Sequence, residues 1–172
     1  MKTTKNLSIE FNEKTVTENG KYRLCVGALI EKNGLFFCAT RLDNLNSDHQ
    51  ETLQFPQGGV DSGELMEVAI FREIQEETGI AKNNLDFIQR SVDFVKYNVP
   101  KDFLRFMPQG KIGQVQIWYH FKFTGTESDI NIRQEGHREL GKFFFKNIDE
   151  IIEKSIFFKR ELYLEIKDIF GL

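Results

Sequence analysis

An α/β or α+β sandwich is what this sequence predicts, and three observations carry the expectation. Runs rich in branched and aromatic residues alternate with a few helical stretches, glycine turns join neighbouring runs, and no repeat, low-complexity tract or linker divides the chain. At 172 residues, with 40% hydrophobic and 28% charged side chains, the chain is long enough to bury one core without staples. Residues 1–172 are therefore expected to form a single domain, with an N-terminal extension of unknown role over about 1–21.

The elements follow in order. LSIEF (7–11) reads as an opening strand, and YRLCVGALI (22–30) as a largely buried one. Asn33 and Gly34 both tolerate positive φ, so they should turn a tight hairpin into LFFCATR (35–41). The polar stretch 42–52 is a long surface loop. Asp61, with Glu64 three residues on, makes a capping box, and Gly79 makes a left-handed stop; together they predict a helix over about 63–78. Strands are expected at 85–97 and 113–123, around a loop carrying Lys101, Arg105 and Lys111. Phe143 to Phe145 suggests another strand, Asn147 and Glu150 a second capping box, and 158–170 a closing amphipathic helix.

Composition excludes several classes. A formal charge of -3 argues against a protein that coats long nucleic acid, while leaving contact with one end of a nucleic acid open. The first residues lack the apolar run of a secretory signal, and no stretch is long and apolar enough for a membrane span. Cys25 and Cys38 lack zinc-site spacing and read as two buried thiols in a reducing compartment, so a cytoplasmic location is expected. Nothing in the sequence names a protein partner.

The chemistry gathers in the stretch from Gln54 to Ile80. At about 100° per residue, Glu73, Glu76 and Glu77 fall within an arc of about 100° on the helix, while Val68, Phe71 and Ile74 should bury the other side. Like charges at this spacing oppose folding, and Arg72 alone leaves excess negative charge. A solvated acidic face is the plain alternative. Against it stand the apolar residues round most of the helix, and the preceding PQGGVDSG, whose glycines admit a ligand and whose carbonyls add hard oxygen donors. Clustered carboxylates with oxygen neighbours suit Mg²⁺ or Mn²⁺ working with substrate phosphates.

From Gly58 the pattern runs five residues to Glu64, seven more to Arg72-Glu73-Ile74, one to Glu76-Glu77 and one to Gly79-Ile80. That pattern resembles the Nudix box at each of its defining positions. The resemblance implies a Nudix α/β/α sandwich with a mixed central sheet, and hydrolysis of a nucleoside diphosphate linked to a further group. It implies that Glu73, Glu76 and Glu77, with Gly58, hold two or more metal ions, that one of these glutamates or another Glu outside the box serves as the base for water, and that Arg72 orients the glutamates. Glu139, in HRELGKFFF, is similar to a family glutamate that completes metal binding or supplies the base. His137 competes for that second role, since imidazole titrates near neutrality.

Flanking residues resemble the bacterial RNA 5′-pyrophosphohydrolases and their relatives, the asymmetric dinucleoside tetraphosphate hydrolases. Tyr22-Arg23, Gln54 to Gly59, Tyr97 with Pro100, Gly113 to Trp118, and Phe158 to Tyr163 carry the likeness. It implies that Arg23, Arg41, Tyr97, Phe158 and Lys159 contact the substrate, while Tyr22 and Trp118 read as core. Departures are the long 42–53 loop, Leu53 where Trp is common, and Lys142-Phe143 where Gly-Trp is common. The expected activity is metal-dependent conversion of a 5′-triphosphate RNA end to a 5′-monophosphate. The alternatives are a dinucleoside polyphosphate hydrolase and a catalytically idle module that binds RNA or protein.

Overall fold

A computed structural model describes residues 1–42, 52–134, 136 and 139–172. The strands are β1 (Thr3–Thr4), β2 (Tyr22–Lys32), β3 (Leu35–Arg41), β4 (Leu53–Gln54), β5 (Gln57–Gly59), β6 (Leu85–Ser91), β7 (Val95–Asn98), β8 (Gly113–Phe123) and β9 (Leu140–Lys146). The α-helices are α1 (Glu13–Val16), α2 (Met66–Thr78), α3 (Ile148–Glu153) and α4 (Phe157–Phe170).

β2 and β8 organise the sheet. They run parallel from Tyr22↔Gly113 to Glu31↔Lys122, and each changes its outer neighbour along its length. Near their starts β5 pairs β2 and β7 pairs β8; near their ends β3 and β6 replace them, all antiparallel. The glycine-rich β5 and Tyr97 of β7 are thereby brought to one end of the central pair.

Strand alternation sends side chains to two faces. Val26, Ala28 and Ile30 of β2, with Val115, Ile117 and Tyr119 of β8, pack against Met66, Ala69, Ile70 and Ile74 of α2. On the opposite face Leu29 and Trp118 meet α3 and α4 through Ile151, Leu162, Tyr163 and Ile166. Helices thus cover both sides of a mixed sheet, which is the α/β/α sandwich expected. The β2–β3 hairpin turns through Asn33 and Gly34 at φ 54° and 77°, as their spacing predicted. Tyr22 and Trp118 are both buried.

Several expectations are corrected. Residues 7–11 form no strand; β1 pairs with β6 instead, and Ser8 accepts a backbone-carbonyl hydrogen bond from Arg90 at 2.6 Å. α2 begins at Met66 with Leu65 as its cap, because the Asp61–Glu64 pair closes a turn before the helix and Glu64 is engaged by Arg72. Val68 is half-exposed and Phe71 only partly buried, so Ile74, Ile70 and Met66 supply the apolar face. The predicted 85–97 strand is two, β6 and β7, which pair with opposite ends of β8. Asn147 caps α3, whereas Glu150 pairs with Lys146 and Lys154 rather than closing a box. Most of the 42–53 loop, with His49, and also His137, lie outside the described residues.

Candidate active site

Arg72 is the hub of the helix-borne cluster. Its Nε donates to Glu64 Oε1 at 2.7 Å, and its Nη2 to Glu64 Oε2 and to the Gly59 carbonyl, both at 2.8 Å. Nη1 donates to Glu73 Oε1 at 2.8 Å and to Glu76 Oε2 at 3.2 Å. All five guanidinium N–H groups are used, a geometry that a lysine could not reproduce. The paired carboxylates raise the Arg72 pKa further, and Arg72 in turn holds Glu64 below its ordinary range.

Glu73 leans on β5. A Cβ built on Gly58 would lie 2.0 Å from the Glu73 carboxyl carbon, so only glycine leaves room for that carboxylate against the backbone. Burial is the main cause that raises the Glu73 pKa, with the charges of Glu76 and Glu139 adding to it and Arg72 opposing it. Glu77 lies deeper, buried behind the cluster, and accepts from the Gln57 N–H at 2.9 Å. Desolvation pushes its pKa well above the carboxylate range, and Glu73 and Glu139 push in the same direction.

A cleft of about 520 Å³ opens over these groups. Gly58, Glu73, Glu76 and Glu139 line it together with Arg23, Arg41, Tyr97, Phe158 and Lys159, so every predicted substrate contact shares one space with these carboxylates. Arg23 comes from the start of β2, where a Cβ on Gly59 would sit 2.4 Å from its guanidinium nitrogen. Arg41 ends β3 and reaches Gln54 Oε1 at 3.4 Å; Lys159 is buried in the first turn of α4. Tyr97 and Phe158 stack with ring centroids 6.4 Å apart and planes 19° from parallel. Of the predicted set, Arg72 and Glu77 stand behind the wall, not on it.

Sequence reasoning missed part of the lining. Phe103, Phe106 and Met107 extend the apolar lining, the Phe103 and Phe158 ring centroids lying 5.0 Å apart, in the stretch that also carries Lys101 and Arg105. Gln57 and Gln114 also face the cleft.

The donor set is consistent with a divalent cation. It is all hard oxygen, and it leaves two raised carboxyls, Glu73 and Glu77, in need of positive charge that Arg72 meets only for the first. Among the described residues no three acidic, histidine or cysteine side chains already converge as a ready-made set; the guanidinium bridging Glu73 and Glu76 is the cation that holds them instead.

A NUDIX domain model matches residues 21–165, and the chain belongs to the Nudix family. Family members generally use divalent metal ions. Within the family the chain is similar to proteins named RNA pyrophosphohydrolase. One from Wolbachia sp. subsp. Drosophila simulans (strain wRi) is 36% identical over 158 residues, covering 91% of this chain and 93% of its own. Another, from Erythrobacter litoralis (strain HTCC2594), is 36% identical over 153 residues, 85% of this chain and 88% of its own. Among solved structures, an E. coli dihydroneopterin triphosphate pyrophosphohydrolase superposes with a TM-score of 0.63 at 15% identity, covering 88% of this chain and 99% of its own. A C. elegans Ap4A hydrolase complex does so with a TM-score of 0.60 at 17% identity, covering 87% and 98%. At those identities the two structures speak for the fold alone.

Proposed function

We propose that this protein is a Mg²⁺-dependent pyrophosphohydrolase that converts 5′-triphosphorylated RNA ends to 5′-monophosphates. The observation that carries the reading is a cleft lined both by Glu73, Glu76 and Glu139 and by Arg23, Lys159 and the Tyr97–Phe158 stack. The similarity to RNA pyrophosphohydrolases along most of the chain supports it.

Glu73, Glu76 and Glu77, with the Gly58 carbonyl and Glu139, would hold two or more Mg²⁺ ions, or Mn²⁺ in their place. Bound there, such ions supply charge neutralisation to a phosphoric anhydride that otherwise repels its nucleophile. Arg72 keeps Glu73 and Glu76 turned toward the cleft. Arg23, Arg41 and Lys159 bind the phosphate oxygens, and Tyr97 and Phe158 stack a base without selecting its identity. Glu139, lining the cleft, takes the proton of the attacking water as the P–O–P bond breaks and phosphate or pyrophosphate leaves. A cytoplasmic location goes with this reading: both cysteines are free and buried. No described helix is long and apolar enough to cross a membrane.

The second reading, a dinucleoside polyphosphate hydrolase, uses the same carboxylates with the two stacked rings as an adenine clamp. Initial rates on a short 5′-triphosphate RNA and on diadenosine tetraphosphate, under one Mg²⁺ condition, separate the two. Faster release from the RNA is expected; preference for the dinucleotide moves the function to nucleotide clearance. Inertness toward both leaves a binding module and refutes the proposal.

A further inference from the structure

Gln114, Gln116 and Trp118 stand two residues apart on β8, share one face of the sheet, and are all buried. The Trp118 indole donates to Gln116 Oε1 at 2.8 Å. Gln116 Nε2 then donates to Gln114 Oε1 at 2.8 Å and, more weakly, to Gln57 Oε1 at 3.4 Å. Both ends of Gln116 are thus committed, and the direction is set by one atom. An indole nitrogen can only donate, so the amide oxygen must face it and the amide nitrogen must face Gln114 and Gln57.

That orientation propagates. Gln114 and Gln57 each give their carbonyl oxygen to Gln116, which leaves their NH₂ groups for other partners. Gln114 and Gln57 both line the carboxylate cleft, with Arg23 and Lys159. The indole itself cannot turn over: a Cβ on Gly27 would lie 2.5 Å from it, and Phe55 and Tyr163 pack edge-on against it, each with centroids 5.9 Å away.

We propose that Trp118 and Gln116 are positioning residues that set the polarity of the cleft wall, making Gln114 a hydrogen-bond donor toward the phosphate oxygens of the substrate. The inference rests on the phosphate-cleft reading above. A polyphosphate chain offers acceptors almost exclusively, so a donor wall attracts it and a carbonyl in the same place repels it. Neither Trp118 nor Gln116 touches the substrate; their effect passes through Gln114 and Gln57.

Gln116→Glu tests this directly. A carboxylate at 116 still accepts from the indole but donates to neither neighbour, so Gln114 and Gln57 turn their NH₂ groups to it and present carbonyls outward. KM for the substrate is expected to rise about tenfold or more, the worth of a hydrogen bond to a charged group, with kcat nearly unchanged. Trp118→Phe, which keeps the ring over Gly27 and removes only the fixed donor, should raise KM by a smaller factor and guards against a core charge that prevents folding. Side-chain amide NMR with inorganic tripolyphosphate and Mg²⁺ gives an activity-independent readout. The Gln114 NH₂ signals should shift in the wild type and lose that response in Gln116→Glu. An unshifted Gln114 amide in the wild type, or variants whose KM stays put while kcat and Tm fall, would overturn the proposal. Should tripolyphosphate shift Gln114 while RNA goes uncut, the polarity device stands and the RNA reading falls.

Discussion

Replacing Glu77 by Gln should stabilise the metal-free protein, a reversal of the usual result for a buried group. Glu77 is buried, receives one backbone hydrogen bond from Gln57, and feels the charges of Glu73 and Glu139. Its folded pKa lies above its unfolded value, so the native state binds the proton more tightly. Stability therefore falls as pH rises from the ordinary carboxylate range to the raised value, and levels off above it. Gln keeps an oxygen for the Gln57 N–H and carries no charge. Relieving a buried charged group short of partners is worth about 1–3 kcal/mol, and each kcal/mol moves Tm by roughly 2–4 °C in a chain of this size. A rise of about 2–12 °C at pH 8 in EDTA is expected, shrinking toward pH 5. Thermal unfolding with and without Mg²⁺ is the assay. In saturating Mg²⁺ the order should invert, since the wild type alone keeps the full donor set. A Glu77→Gln protein less stable than wild type in EDTA at pH 8 would refute the reasoning.

Other expectations follow from single contacts. Gly58→Ala places a Cβ 2.0 Å from the Glu73 carboxyl carbon; it should displace that carboxylate, weaken Mg²⁺ binding in a calorimetric titration, and cut turnover by about a hundredfold, as expected when a catalytic group is misplaced by ~1 Å. Arg72→Lys leaves donors for only part of Glu64, Glu73, Glu76 and the Gly59 carbonyl; a loss of about 1–3 kcal/mol in denaturant unfolding is expected. Phe158→Ala removes one ring of the stack with Tyr97, and KM for RNA should rise by the ~1–3 kcal/mol that one stacked base contributes, with tripolyphosphate affinity unchanged.

What the sequence disclosed and what it withheld divide along a physical line. The clustering of Glu73, Glu76, Arg72 and Gly58 was legible because it depends on spacing within one turn and one helix, and helical geometry is local. Asn33-Gly34 and Gly79 were legible for the same reason, each being a backbone conformation that few residues adopt. The start of α2 was misread because Glu64 serves Arg72 eight residues on rather than a cap. The burial of Glu77 could not be read from the helical arc, since it depends on β5 packing across the helix. Arg23 and Gln114 sit side by side through β2–β8 register, although far apart in the chain. His120 pairs with Glu31 at 2.8 Å across the same two strands, a contact that likewise depends on register. The Trp118 to Gln116 to Gln114 order also needed the fold, for alternation on β8 shows which residues share a face but not which atoms meet.

The central claim is that Glu73, Glu76 and Glu77 form a metal site for cleaving the phosphate chain of an RNA 5′ end. Phosphate release from a short 5′-triphosphate RNA, followed across a Mg²⁺ titration in the wild type and in Glu76→Gln, tests it most directly. The prediction is saturable Mg²⁺-dependent release in the wild type and a loss of several orders of magnitude in the variant, with its fold retained. Release that ignores Mg²⁺, or a variant that matches the wild type, would contradict it.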